Sequence, residues 1–450
     1  MLVAIGVAAA YTPAGYGVPE PCGALAGPAE DGALGMCHNP AAAHPERDEW
    51  LLDVAVLASA LQYRLDWTGE TVASSGASPV PGLAFAVPAG PVGFGFAFLP
   101  LYVRGGGEPA AADAPQRFYS YEGSIRVLAG DLSVAVAPHP AWTVGASLRV
   151  AQGEVRSRRA IDAGALVAGI AGPDAGVPVG DPFLEGTQSL LGLQGVGFGG
   201  AVGARWSPER GPTVALAVHA PLRLTLEGPL SLVPSNYLEM ELTGTVATTM
   251  VFPPAVFLAV AVPVGAARVG ADVSWIGWSS MERYSASLDG VRITSDDATM
   301  QSLFDAYGVT EAEFLASAED AITVTGMRDV VNAGVSARAP LGRVVEVGGG
   351  VWVLPAAVPD ETVHPANLDF ASLDLRGTVA WNPSERVTLG LGVDLYPSAD
   401  RAIEDSAHDW VSPGEGGSAL PSGEGLYELF LARAGLTLVW RSPFARRSGV

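Results

Sequence analysis

Residues 267–276 read ARVGADVSWI, with Val269, Ala271, Val273 and Trp275 on one parity and Arg268, Gly270, Asp272 and Ser274 on the other. A strict period of two makes a strand with one apolar and one polar face. The alternation returns over 386–396, where Val387, Leu389, Leu391, Val393 and Leu395 oppose Arg386, Thr388, Gly390, Gly392 and Asp394. It returns again over 373–382, where Leu373, Leu375, Val379 and Trp381 oppose Asp374, Arg376 and Thr378. The chain nevertheless has a mean hydropathy of +0.29 together with a formal charge of −22. A membrane-spanning helix needs about 20 consecutive apolar residues, and the best stretch, Met250 to Ala267, contains Pro253, Pro254 and Pro263. Apolar residues this abundant, never gathered into a helical run, are expected to meet lipid from alternate positions of strands. A closed transmembrane antiparallel β-barrel achieves that, because its backbone groups pair between strands while its side chains point alternately outward and inward.

Composition points the same way. With 49% apolar and 16% charged residues, 56 Gly and 35 Pro, the chain is too apolar for disorder and too rich in turn formers for helices. The acidic balance excludes a nucleic-acid partner, whose phosphates require a basic surface. All 25 basic residues are arginine.

About fourteen segments carry the strand pattern: near 50–66, 82–88, 91–103, 118–137, 141–159, 187–207, 212–228, 245–263, 266–287, 323–339, 343–355, 371–382, 386–397 and 426–440. Short links such as PHPA (138–141), SPERGP (207–212) and NPSER (382–386) alternate with long ones, as periplasmic turns alternate with external loops. The expected organisation is therefore a signal remnant at 1–10, a plug within the lumen at 11–48, a barrel at 49–440 and a tail at 441–450. The long connection 288–322 carries a helical stripe of Met300, Leu303, Phe304 and Tyr307. That stripe either meets an apolar ligand, making Phe304 a ligand-binding candidate, or packs on neighbouring loops.

The plug expectation comes from EDGALGMCHNPAAAHPERDEW (30–50), a polar, turn-rich stretch ahead of the first strand. A fourteen-stranded lumen is wide enough to leak unless something fills it. Cys22 and Cys37 both fall in this N-terminal region, and two such cysteines in an exported protein are expected to pair. No His/Cys spacing makes a zinc site, so no metal or other cofactor is expected.

These residues resemble the N-terminal hatch of the FadL/TodX long-chain fatty acid and hydrophobic compound transporters, with Asn39, Pro40 and Ala41 as its ending. FPPAVFLAVAVPVGAARVGADVSWIGWSSM is similar to the family's strand pair ending in Trp-Ser, here Trp278 and Ser279, and PAAVPDETVHPANLDF looks like its Pro-rich loop. The resemblance spans about Gly23 to Trp440. It implies a fourteen-stranded barrel in the outer membrane of a Gram-negative bacterium. It also implies passive uptake of fatty acids or related hydrocarbons, a gating role for Asn39, Pro40 and Ala41, and lateral exit through the wall. Two departures stand out: Trp440 is followed by RSPFARRSGV rather than ending the chain, and the lysine of the family's acid-binding site has no counterpart.

The family's carboxylate-binding arginine falls near Arg156 and Arg158, which makes them ligand-binding candidates. Strand parity instead turns Arg149 and Arg159 inward and Arg156 and Arg158 outward, toward lipopolysaccharide, unless Gly153 marks a bulge. Arg338, Arg376 and Arg433 fall on polar parity and are expected to pair with Glu122, Glu346, Asp394 or the plug. In AVPAGPVGFGFAFLPLYVRGG (86–106), Pro88, Pro91 and Pro100 surround glycines, and each proline lacks a ladder donor. A lateral opening is therefore expected around Gly93, Gly95 and Pro100, lined by Phe94, Phe96 or Phe98. The expected partners are a hydrophobic small molecule and outer-membrane lipid, with the barrel a monomer. Two alternatives remain, a polar-solute porin and a barrel hydrolase. The chain has no Gly-x-Ser-x-Gly, His-Glu-x-x-His or Walker motif, and His219 is the one residue to name for hydrolysis.

Overall fold

A computed structural model describes residues 29–66, 69–105, 122–162, 185–233, 240–281, 283–295, 305, 320–324, 326–363, 369–405 and 423–442. The strands are β1 (Glu49–Leu65), β2 (Thr71–Ala89), β3 (Val92–Gly105), β4 (Glu122–His139), β5 (Trp142–Asp162), β6 (Glu185–Trp206), β7 (Thr213–His219), β8 (Leu222–Val233), β9 (Met240–Phe252) and β10 (Ala255–Val264). They continue as β11 (Ala267–Ile276), β12 (Arg283–Ser295), β13 (Asp320–Val324), β14 (Val330–Pro340), β15 (Val345–Leu354), β16 (Ser372–Ser384), β17 (Val387–Pro397), β18 (Arg401–Ile403) and β19 (Gly425–Arg441). Neighbours pair antiparallel, and β1 pairs with both β2 and β19, from Glu49↔Arg441 to Leu65↔Gly425, which closes the sheet into a barrel. Among the described residues, no helix is long and apolar enough to cross a membrane.

The outer surface is apolar. Trp50, Leu52, Val54 and Val56 of β1 are exposed while Leu51, Asp53 and Ala55 are buried. Val269, Val273 and Trp275, Leu373, Leu375, Val379 and Trp381, and Leu389, Leu391, Val393 and Leu395 are exposed as their parity requires. In water such a surface would be an extensive apolar patch; in a bilayer it is the lipid-facing band. The inward face carries paired charges. Arg149 grips Asp131 through two bonds of 2.7 and 2.6 Å. Arg376 binds Asp374 and Asp394, and Arg433 reaches both Asp394 and Asp53, which also accepts from the Thr437 hydroxyl.

The expectation of about fourteen strands is corrected: the wall is cut into nineteen hydrogen-bonded segments. The cause is local chemistry. Pro221 separates β7 from β8, and Pro253 with Pro254 separates β9 from β10; proline cannot donate to a ladder. A 3-10 turn over Trp278–Met281 separates β11 from β12. These breaks are in register: β7 pairs with β10 up to His219↔Ala255, β8 with β9 from Leu222↔Phe252, and β11 with β14 up to Ile276↔Val330. A seam therefore crosses several adjacent strands. Across it Gly277 N–H donates to the Pro254 carbonyl at 2.9 Å, and Ser279 N–H to Asp329 Oδ1 at 2.9 Å.

Strand β2 is longer than expected, starting at Thr71 rather than near residue 82, although it includes Pro79 and Pro81. Six short turns, after β2, β4, β6, β10, β14 and β16, mark one end of the barrel.

Candidate functional site

The described part of the N-terminal region, from Ala29 onward, lies against inward-facing residues near the short-turn end. Asp31 caps a single helical turn, α1 (Gly32–Gly35), by accepting from Gly32 N–H, and Gly32 adopts φ +62°, a conformation suited to glycine. Asn39 then caps a 3-10 turn over Pro40–Ala43, accepting from Ala41 N–H at 3.0 Å while Pro40 fills the first position. The Asn39 Nδ2 donates outward to the Ala204 carbonyl of β6 at 3.1 Å and the Leu216 carbonyl of β7 at 3.3 Å. One side chain thus orders the turn and ties it to the wall.

The wall receives this segment on glycines. A Cβ at Gly145 would stand 2.5 Å from the Pro40 carbonyl oxygen. At Gly203 it would overlap Asn39, at Gly95 Met36 Sδ, and at Gly93 the Ala43 carbonyl. Ala33, Ala42 and Ala43 are wholly buried. His219, the hydrolase candidate, is buried and holds the His38 carbonyl at 2.7 Å, with its ring edge-on to Phe257 at 5.1 Å. Its contacts tie it to the segment. Acidic residues add a second set of ties: Asp31 to Arg205 at 3.3 Å, Glu30 to Arg268 and Arg338, and Glu49 Oε2 to Ala33 N–H at 3.2 Å. Desolvation by burial pushes the Asp31 carboxyl above its ordinary value, against the pull of Arg205. Cys37 is disulfide-bonded, and Cys22, the chain's other cysteine, lies outside the described residues.

Beside Ala29 and Glu30 a recess opens among Arg268, Asp272, Arg338, Trp352 and Arg376. Trp352 Nε1 donates to Asp272 at 2.9 Å, and the Arg376 guanidinium lies 4.4 Å from the centre of the Trp352 ring. Gly334 and Gly350 make room for that indole.

Several candidates sit elsewhere than expected. Arg156 and Arg158 are exposed on the outward parity, and Arg156 pairs with Glu154 at 2.7 Å; the bulge lies at Gly192 of β6 (φ +97°), not at Gly153. Arg149 and Arg159 are buried, as parity required. Phe94, Phe96 and Phe98 share the outward parity of β3, while Gly93, Gly95, Ala97 and Leu99 are buried. The phenylalanines therefore do not line the lumen: the small residues opposite them make room for the N-terminal segment. Pro100 adjoins a bulge at Leu101 against β4. On its other edge β3 pairs with β2 over Val92–Phe98 and Leu83–Ala89, while β2 pairs with β1 from Thr71 to Ala86. Among the described residues the β2–β3 ladder thus ends at Leu83↔Phe98, with Pro79 and Pro81 in the unpaired stretch of β2. Phe304, residues 1–28 and residues 443–450 lie outside the described residues. The glycine bed was not read from the sequence, although Gly145 and Gly203 stand at inward parity beside short turns; of the acidic ties only that of Arg338 to the N-terminal segment was expected.

No family model and no curated protein matches the chain. Solved structures do. A Pseudomonas aeruginosa FadL homologue superposes with a TM-score of 0.73 at 13% identity, covering 95% of this chain and 98% of that one. The Ralstonia pickettii toluene transporter TbuX gives 0.60 at 15% identity, with 91% and 93% covered. The P. putida toluene transporter TodX gives 0.63 at 13%, with 90% and 92% covered. The chain is a transmembrane β-barrel. Its fold is that of the FadL homologue and of the TodX and TbuX transporters.

Proposed function

We propose that this protein is an outer-membrane channel of a Gram-negative bacterium that takes up hydrophobic molecules passively, fatty acids or aromatic hydrocarbons among them. In this reading the segment around Asn39, Pro40 and Ala41 is a plug that gates the lumen, and the ligand leaves sideways between β2 and β3. The observation that carries it is the pairing of a segment seated across the short-turn end with a ladder that stops at Leu83↔Phe98. A polar solute needs an open lumen and gains nothing from an interrupted wall. An apolar solute gains from both, because a sideways exit avoids transfer into water, at about 25 cal/mol per Å² of apolar surface. Pro79 and Pro81 suit such an edge, since proline is tolerated in a strand where its missing donor faces no partner. The fold shared with hydrophobic-compound transporters supports the reading, and the contacts of His219 with the segment speak against a hydrolase. The exposed Arg156 and Arg158 suit lipopolysaccharide phosphates, and a monomer suits a wall that is apolar on its outward parity. The test is uptake by cells expressing the protein. Faster entry of a labelled fatty acid or toluene, with low steady conductance in a planar bilayer, is the expected result. A large steady conductance with no hydrophobic uptake would establish a porin instead.

A further inference from the structure

Arg268 of β11 and Arg338 of β14 are direct cross-strand partners on the inward parity. Like charges directly opposite one another in a sheet repel, so this pair requires an anion. Glu30 supplies it: Oε1 lies 3.4 Å from Arg268 Nη1 and 3.3 Å from Arg338 Nη1. Arg268 also donates from Nη2 to the Ala29 carbonyl at 3.1 Å. The carboxylate contacts are long. Charge-assisted bonds run about 2.7–2.9 Å, and Arg149 holds Asp131 at 2.6 Å in the same barrel. Glu30 thus fills the clamp without being locked in it. The recess continues from the clamp along Ala259, Ala261 and the Trp352 ring, offering apolar surface directly beside the two guanidiniums.

We propose that Arg268 and Arg338 form a carboxylate clamp, occupied by Glu30 when the segment is seated, and that the carboxylate of an apolar-tailed acid in the lumen displaces Glu30 and frees the segment. This rests on the hydrophobic-uptake reading and narrows the ligand that opens the channel to acids. Arginine fits the role because it stays charged at any accessible pH and presents several donors in one plane. The consequence reaches the opposite wall. Met36 and Ala43 of the same segment press on Gly95 and Gly93 of β3, within the β2–β3 ladder, so losing the Glu30 anchor loosens the packing on that strand too.

Amide exchange on the full chain in lipid nanodiscs tests this, read at Met36, His38, Asn39 and Ala42, whose N–H groups bond within the segment. Octanoate is expected to speed exchange there by about tenfold, the equivalent of about 1.4 kcal/mol, whereas 1-octanol leaves it unchanged. Glu30→Gln is expected to show fast exchange without ligand and little further response to octanoate. Equal acceleration by octanoate and octanol, or none by octanoate, would overturn the clamp. The comparison in unmodified protein decides the matter even if a variant misfolds. Cellular uptake separates the two readings: if hydrophobic molecules enter but octanoate does not alter exchange, the clamp alone fails, and if none enters, the transport reading fails.

Discussion

Asn39 and Gly203 are in contact because Gly203 has no side chain: a Cβ there would overlap the Asn39 amide oxygen and stand 3.2 Å from the Leu216 carbonyl oxygen. The Leu216 oxygen accepts from Asn39 Nδ2 and the Asn39 amide oxygen accepts from Ala41 N–H, so a single methyl group would press on the acceptors of two hydrogen bonds. Gly203→Ala is expected to unseat the turn over Pro40–Ala43. Each lost hydrogen bond costs about 1 kcal/mol, enough to raise exchange of the Ala41 amide several-fold. The barrel closes through β1 and β19 independently of this turn, so its heat-modifiable mobility on gels is expected to persist. Asn39→Ala and Pro40→Ala are expected to act alike, changing uptake of a hydrophobic probe while the barrel still assembles.

Restoring donors to β2 tests the exit. Pro79→Val combined with Pro81→Val returns two N–H groups to the stretch that lacks a β3 ladder. The expected outcome is protection of the two introduced amides from exchange and slower hydrophobic uptake. Uptake at the original rate, with the ladder extended, would remove this gap as the route.

Arg433 bridges Asp53 and Asp394 at 3.2 and 3.3 Å with all three side chains buried. Arg433→Met removes the cation between Asp53 and Asp394; Asp394 keeps Arg376, so the loss, about 3–5 kcal/mol for a buried ion pair broken on one side, falls mainly on Asp53. A lower unfolding temperature on heated gels is expected. Adding Asp53→Asn to Arg433→Met is expected to recover part of it, since the uncompensated charge is the main cost.

Strand parity was the most legible property of this chain. Leu389, Leu391, Val393 and Leu395 alternate because lipid lies on one side and a charged lumen on the other, and both environments act on every second residue. The same rule, applied to Phe94, Phe96 and Phe98, would have turned them outward, because glycine and alanine occupy the opposite parity of β3. The expectation of a phenylalanine-lined exit followed the prolines and glycines of that stretch instead. The clamp was legible only in part: polar parity marked Arg338 as a partner of the N-terminal segment, but its joining with Arg268 and Glu30 depends on a register that no local pattern encodes. The segment cuts at Pro221 and Pro253–Pro254 were visible as prolines, but their alignment depends on pairing between distant strands.

Asp369 sets a pH dependence in the loop between β15 and β16. Its carboxylate accepts from the Ala357, Val358 and Phe370 N–H groups, and burial pushes its pKa up from 3.8 to about 6. The folded loop therefore holds the proton more tightly than the unfolded chain. Its contribution is full below pH 3.8 and is lost as pH rises to about 6. Intrinsic-rate-corrected exchange at Ala357 and Val358 is expected to quicken across that window. Asp369→Asn, which cannot ionise, is expected to give a flat profile.

The aligned breaks in the wall have a mechanical meaning. Where β7, β10, β11 and β14 stop, β8, β9, β12 and β13 begin, and few backbone bonds cross between the two tiers. A continuous barrel behaves as a single stave-and-hoop vessel that yields all at once. This wall instead carries a hinged panel on one side of its loop end, able to fray or flex while the lower tier keeps its hoop. Mutations above the seam are therefore free to reshape the mouth of the channel with little effect on the part that holds the N-terminal segment.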